Sequence, residues 1–539
     1  MEILNTISKY PCVKAVFSGH HHAGAFGYYK GIPMITQEGM IETETQNAYS
    51  TVEITRDSIL VKGRGRVPSR SFKYSHLPYW KDIQTTSVNT EDPRTSFMTY
   101  ANRAQAMTGR YEESPYYKLL NGIWKFYYVD SYKKLPADIV DTTAAAVGWK
   151  SIKVPGNWEI QGYGTAIYTN QCYEFQSSNP QPPQLPEENP VGVYRKEFTL
   201  PTDWEGRDVY LHIAGAKSGC YVYINGYEVG YSEDSKNPAE YLINRYLKSG
   251  ENTLVLKIFR WSTGSYLECQ DFWRMSGIER DVFLYSQPKA SIKDFRITST
   301  LDDSYRNGIF RLVLDLKNHK DTNANLTIGY ELIGHSGRVV ATGEKNVSMK
   351  SKGMVTVTFE RQLPDVETWT SEVPNLYKLM MIVRENGKTS EVVPFNVGFR
   401  RIEIKEIEQK SANGKNYTVL LINGQPLKLK GVNVHEHDPE TGHYLTEELM
   451  RKDFELMRRA NINTVRLCHY PQDRRFYELC DEYGFYVYDE ANIESHGMRY
   501  DLRKGGTLGN NPEWLKPHMY RTINMFERNK NYPSLTSVS

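Results

Sequence analysis

The sequence predicts a multidomain chain of β plus α/β class, in which two β-sandwiches precede the first part of a (β/α)8 barrel. Three observations lead there. The chain has 539 residues, more than a single core usually serves. Apolar and polar residues alternate with period two through long stretches of residues 71–400, the pattern of half-buried strands. After Ile402 short apolar runs alternate with helical stripes, as in a parallel sheet with crossover helices.

Composition narrows the function classes. Hydrophobic content of 39% and aromatic content of 12% suit a globular protein. Lys+Arg 66 nearly balances Asp+Glu 64, and no basic stripe marks a nucleic-acid partner. The cysteines at 12, 172, 220, 269, 468 and 480 are too scattered for a disulfide framework or a zinc site. No run reaches the roughly 18 apolar residues of a membrane span. Met1 to Tyr10 lacks the apolar core of a signal peptide. As written, the chain is expected in the cytoplasm, with a periplasmic or secreted parent left open.

Residues 1–70 carry Gly19-His20-His21-His22 and strand-like runs at Ser50–Thr55 and Ser58–Val61. A basic, glycine-containing stretch from Lys62 to Arg70 reads as a linker. So short a segment makes a poor core by itself, and it reads as an appendage. Residues 71–286 read as the first sandwich. Val209, Leu211 and Ile213 alternate, as do Leu254, Leu256 and Ile258, and Asn225-Gly226 suits a two-residue hairpin turn. Residues 287–400 read as a second, immunoglobulin-sized sandwich, with Phe310, Leu312, Leu314 and Leu316 on one strand face and Asn386-Gly387 as a turn.

Residues 401–539 read as β/α units. Strands are predicted at Leu427–Val434, Asn463–Cys468, Phe485–Tyr488 and Ser534–Ser539. Helices are predicted at Thr446–Ala460, with Thr446 as N-cap, at Asp473–Tyr483, stopped by Gly484, and at Trp514–Asn529. About 140 residues follow Arg400, whereas a closed barrel takes about 250. The barrel is therefore expected to be incomplete.

Barrel active sites lie at the C-terminal ends of the strands. There the sequence places Asn433, His435, Glu436 and His437, then Arg466, His469 and Tyr470, then Asp489, Glu490, Asn492, Glu494 and His496. One strand-end histidine is usually a loop residue, but three such strands in succession favour a pocket.

These stretches carry a family resemblance. Gly431-Val-Asn-Val-His-Glu-His437, Arg466-Leu-Cys-His-Tyr-Pro471 and Asp489-Glu-Ala-Asn-Ile-Glu-Ser-His-Gly-Met498 resemble the barrel motifs of bacterial β-galactosidases of glycoside hydrolase family 2. Leu120–Phe126, Val154–Trp158, Ile167–Asn170, Gly230–Ser235, Arg260–Tyr266 and Asp271–Asp281 resemble that family's sugar-binding domain. The resemblance implies a jelly-roll domain, an immunoglobulin-like sandwich and a TIM barrel. It implies retaining hydrolysis of terminal β-galactosides. Asn170, Asp234, His435 and His469 would bind substrate, Glu494 and His496 would be two of three protein ligands of Mg2+, and Asp234 would lie near Na+. β-Galactoside sugars would be the partners, and the family is often homo-oligomeric.

The family continues into a strand ending in Trp-Ser-Leu-Gly-Asn-Glu, whose glutamate is acid/base and third magnesium ligand, with the nucleophile further on. Here the text reads Arg528-Asn-Lys-Asn-Tyr-Pro-Ser-Leu-Thr-Ser-Val-Ser539. Both catalytic glutamates are thus expected to be missing, the chain inactive alone, and metal binding impaired. The alternatives are a non-catalytic carbohydrate-binding fragment or another family 2 glycosidase such as a β-glucuronidase. A second resemblance concerns Phe17-Ser-Gly-His-His-His22, which is similar to the last metal motif of calcineurin-like metallophosphoesterases. It implies His20 and His22 as remnants of a dimetal site.

Overall fold

The computed structural model of the protein describes residues 13–29, 32–39, 42–55, 58–73, 77–142, 147–501, 503 and 505–539. At the start, Ile32–Thr36 pairs in parallel with Val16–Ser18 and antiparallel with Ala25–Tyr29. Ala48–Ile54, Ser58–Gly65 and Arg70–Lys73 form an antiparallel meander. Ile35, Ile59, Val61 and Phe72 close a small core between these sheets. The linker expected from Lys62 to Arg70 is corrected: its first residues extend one strand and Arg70 opens the next. Gly65 has φ of 64°, and a Cβ there would meet the Asn47 carbonyl at 1.7 Å. The glycine serves a close approach between strands, not a flexible tether.

The first sandwich sets a seven-stranded sheet against a four-stranded one. The large sheet centres on Val191–Phe198, Asn252–Phe259 and Gly219–Ile224. The small sheet centres on Asp208–Ile213 and Val282–Gln287. The two predicted alternations, Val209/Leu211/Ile213 and Leu254/Leu256/Ile258, meet in one core. Asn225 and Gly226 take φ of 53° and 83°, the geometry that two-residue hairpin turns require.

The second sandwich packs Ala290–Leu301, Gly308–Asn318 and Met354–Leu363 against a four-stranded sheet that ends in the Tyr377–Glu385 and Lys388–Val397 hairpin. Phe310, Leu312, Leu314 and Leu316 are fully buried, each contributing roughly 1.5–3 kcal/mol of transfer free energy. The same apolar cluster runs on through Phe295 and Phe395 into Phe454, Val465, Leu479 and Tyr532. The sandwich and the α/β region therefore share one core.

Four parallel strands follow, Gly431–Val434, Thr464–Leu467, Tyr486–Asp489 and Leu535–Val538, adjacent in that order. The first begins at Gly431 rather than Leu427. The Leu427 amide donates instead to the Leu420 carbonyl at 2.8 Å, closing the preceding hairpin. Helix Glu447–Arg459 is capped by Thr446, whose hydroxyl accepts from the Leu449 amide. Helix Arg474–Tyr483 is capped by Asp473 and stopped by left-handed Gly484. Helix Leu515–Asn529 breaks the amphipathic rule. It buries Arg521, Asn524, Arg528 and Asn529 beside Pro517 and Met525, while Leu515, Met519, Ile523 and Phe526 are exposed. Among the described residues no helix is long and apolar enough to cross a membrane.

Candidate functional site

The C-terminal ends of the first three parallel strands converge beside the first sandwich. His435 follows the first strand and His469 the second, and their rings lie 6.1 Å apart, nearly perpendicular. Glu490, after the third strand, binds His469 Nδ1 through Oε2 at 2.7 Å and accepts from Arg466 Nε through Oε1 at 2.7 Å. With Nδ1 engaged by a carboxylate, Nε2 is the ring nitrogen that His469 can turn to a ligand. Burial would raise the Glu490 carboxyl, but the hydrogen bonds from His469 and Arg466 overcome it and hold it below its ordinary value. Burial, reinforced by His469 and Lys236, lowers His435 to about 4. That imidazole is neutral at pH 7.

Glu494 is stitched to the sandwich through its backbone. Its amide donates to the Leu267 carbonyl at 2.7 Å, and its carbonyl accepts from the Cys269 amide at 2.8 Å. The Glu494 carboxylate lies 4.0 Å from His469 Nδ1 and 3.9 Å from His496 Nδ1. Two ligands of one Mg2+, each near 2.0–2.1 Å from the ion, could be drawn from Glu494 and His496 by a small side-chain rotation. No group of three or more His, Cys, Asp or Glu donors surrounds one point among the described residues. The pair thus fits Mg2+ only as a partial set completed by other oxygens.

Asp234 lies beneath this surface. Its oxygens accept from Asn492 at 2.9 Å, Asn237 at 2.8 Å and Asn524 at 3.3 Å, with Arg521 at 3.7 Å. These three amide donors leave the carboxylate about one further lone pair. Asn170 is exposed at the end of Ile167–Thr169, and that strand pairs with Phe272–Arg274. The Phe272 ring stacks on His443 at 4.8 Å and faces His435 at 6.1 Å, so the ribbon carries Asn170 to the rim of the histidine cluster.

Sequence reasoning named Glu436 at a strand end and the motif holding Glu279 and Arg280, but not the pairing beneath the site. Lys236 reaches Glu279 at 2.6 Å and Glu436 at 3.1 Å, Arg280 grips Glu436 with two nitrogens at 3.0 and 2.9 Å, and His443 binds Glu279 at 2.8 Å. Arg521 donates to Glu268 at 2.7 Å and to the carbonyls of Asn492 and Glu233, both at 2.9 Å. All of these side chains are buried. One sequence signal existed for Arg521 and Arg528: two arginines seven positions apart, on one face of a helix.

No group of three or more metal donors gathers around His20 and His22 among the described residues. Both are exposed, and His22 is bonded to Glu42. The dimetal remnant expected there is not assembled among the described residues.

Comparisons with known proteins bear on the family and the order of its domains. Three family models match in order: Glycosyl hydrolases family 2, sugar binding domain, at residues 117–288; Glycosyl hydrolases family 2 at 290–400; and Glycosyl hydrolases family 2, TIM barrel domain, at 415–539. A β-galactosidase of Priestia megaterium is 38% identical over 467 residues, covering 85% of this chain and 44% of that protein. One from Vibrio cholerae is 36% identical over 459 residues, covering 84% and 43%. The chain thus spans less than half the length of these curated relatives. Among solved structures, a β-glucuronidase of Bacteroides uniformis superposes with a TM-score of 0.64 at 23% identity, covering 78% of this chain and 46% of that one. A Bifidobacterium dentium β-glucuronidase complexed with coumarin-3-O-glucuronide gives 0.62 at 19%, covering 78% and 67%. At such identities these two structures speak to the fold alone.

Proposed function

The chain belongs to glycosyl hydrolases family 2, a family of hydrolases, and on that premise we propose that its strand ends form the sugar-binding part of a β-galactosidase site. The observation that carries the proposal is the cluster of His435, His469, Glu490 and Glu494, held against the sandwich through Leu267 and Cys269. The neutral imidazole of His435 and the free ring nitrogen of His469, with Asn170 at the rim, suit the hydroxyls of a galactosyl ring. Glu490 orients His469, and Arg466 anchors Glu490. Glu494 and His496 would hold Mg2+, whose positive charge would support negative charge developing on the leaving oxygen.

The carboxylates at the strand ends decide what the chain does alone. Retaining hydrolysis needs two, about 5–5.5 Å apart, one as acid/base and one as nucleophile. Glu436 is paired with Lys236 and Arg280, Asp489 accepts from Tyr477 and Asn529, and Glu490 is held by Arg466 and His469. Of these four only Glu494 lacks a hydrogen-bonded side-chain partner, lying 4.0 Å from His469 and 3.9 Å from His496. The chain by itself therefore binds a β-galactoside without turning it over. A glucuronide reading is less favoured. The curated β-galactosidases match at 36–38% identity, whereas the β-glucuronidase structures match at 19–23% and speak to the fold alone.

The test is calorimetric titration with galactose and with glucuronate, beside hydrolysis of a chromogenic β-galactoside in Mg2+. Galactose binding weakened by His469→Ala, with no turnover, supports the proposal. Turnover abolished by Glu494→Gln would overturn the account of the carboxylates. Absence of any galactose binding would overturn the site.

A further inference from the structure

A second cavity, of about 540 Å3, lies where residues 96–112, the second sandwich and the two helices Glu447–Arg459 and Arg474–Tyr483 meet. None of the residues of the histidine cluster lines it. Its size falls in the range of about 300–1,000 Å3 usual for small-molecule sites.

Its acidic and basic groups divide into two sets. Arg475 is forked between Glu478 at 2.9 Å and Glu482 at 2.8 Å, Arg451 holds Glu447 at 2.7 Å, and Arg474 is paired with Glu478. These charges are satisfied within the protein. Lys378 and Arg110 line the same cavity and make no ion pair within 4 Å among the described residues. Against them stands Glu112 on the exposed side. The remaining acid in the wall, Asp481, is pushed up to about 8 by burial and so is largely uncharged at pH 7. The uncommitted charge of the cavity is positive.

Two hydroxyls point to the rest of the ligand. Tyr100 and Tyr532 line the cavity, are 1% and 3% exposed, and their phenol oxygens have no hydrogen-bond partner in the protein. A buried hydroxyl without a partner is costly; both phenol oxygens are closed off from solvent in this structure, and a turn of either ring onto a bound polar group would relieve that cost. Both phenols lie in the electrostatic reach of Arg474 and Glu478, which places them in one polar patch. Phe97 and Phe395 add apolar wall.

From this combination we propose that the cavity binds a small polyhydroxylated oxyanion of the size of a hexose monophosphate. Lys378 and Arg110 would take the oxyanion, Tyr100 and Tyr532 the hydroxyls, and the phenylalanine rings the C–H faces. Nothing in this assignment depends on the β-galactosidase reading.

The full chain would be titrated calorimetrically with glucose 6-phosphate, inorganic phosphate and glucose, with and without excess galactose. The expected result is binding of glucose 6-phosphate that galactose does not displace. Lys378→Met should weaken it roughly ten- to a hundredfold, as for loss of a hydrogen bond to a charged group. Tyr532→Phe should weaken it several-fold. A urea-unfolding midpoint for each variant at or above that of the parent would show that the loss is not misfolding. No binding of glucose 6-phosphate, or binding untouched by both variants, would overturn the proposal. Equally tight binding of inorganic phosphate would overturn it too, because the phenols and ring faces would then recognise nothing.

Discussion

Helix Glu447–Arg459 and helix Leu515–Asn529 obey opposite rules. The first buries Met450 and Phe454 and turns its charged residues outward, as an amphipathic helix on an apolar wall should. The second buries Arg521, Asn524, Arg528 and Asn529, and Leu515, Met519, Ile523 and Phe526 are 63%, 48%, 43% and 42% exposed. The difference lies in the wall each one meets. The first helix packs on the core shared with the second sandwich. The second meets the charged underside of the sugar site, where Glu268, Asp234 and Asp489 need donors. Which face a helix buries depends on what it packs against, and the site imposed a polar wall.

The most severe way to break this contrast is to remove the central donor. Arg521→Met would leave Glu268 buried without its cation and the carbonyls of Asn492 and Glu233 without a donor. Breaking one side of a buried pair costs about 3–5 kcal/mol. The urea midpoint should fall accordingly, and galactose binding should fall with it because Asn492 also holds Asp234. A loss under about 1 kcal/mol would mean that the polar face is incidental.

Acid should strain the same interface by a different route. His443 is fully buried, and burial lowers it to about 4 despite the opposing pull of Glu279. An unfolded histidine titrates near 6.5. Above pH 7 both states are neutral and stability does not depend on this group. As pH falls from 6.5 toward 4 the unfolded chain takes up the proton first, so stability is lost over that window, by up to about 3 kcal/mol. Urea unfolding from pH 8 to 4 should show this loss in the parent and a smaller one in His443→Gln. Parallel profiles would mean that carboxylate pairs alone set the acid limit.

Most of the architecture was legible because its strands follow the period-two rule. Val209/Leu211/Ile213 and Phe310 to Leu316 alternate cleanly, and the Asn-Gly turns at 225 and 386 are where the backbone takes positive φ. The strand-end histidines were legible because three β/α units placed them in order. What could not be read was long-range polar pairing. Lys236 with Glu436, or Arg521 with Glu268, joins residues some two hundred or more positions apart, and no local pattern announces such a pair. The stretch after Lys62 was misread because glycine and charge mark an exposed strand as readily as a linker. The start of the first parallel strand was misread because the apolar run from Leu427 also serves the preceding hairpin.

Within the site itself a smaller effect is expected. Glu490→Gln keeps the shape but weakens the hold on His469 Nδ1 and on Arg466. Hydrogen bonds to charged groups are worth about 1.5–3 kcal/mol, so galactose affinity should fall roughly tenfold or more. Glu490 is buried, so the same weakened hydrogen bonds should lower the unfolding free energy by no more than about 1.5–3 kcal/mol. Unchanged galactose affinity would mean that His469 needs no orienting carboxylate.

The smallest effect belongs to the exposed face of the last helix. Met519 and Ile523 sit one turn apart, and neither belongs to a buried cluster. A charge placed there meets water and desolvates nothing. Met519→Glu should change the unfolding free energy by no more than about 0.5 kcal/mol, as surface substitutions do. Exposed apolar stripes promote association, so the same variant should reduce light scattering of the concentrated chain. The pairing with Arg521→Met sharpens the contrast, since the two positions are two residues apart on one helix. Removing a charge should cost several kcal/mol at one and adding a charge almost nothing at the other. If Met519→Glu instead destabilises by 2 kcal/mol or more, that face is packed in solution and the inverted assignment of this helix fails.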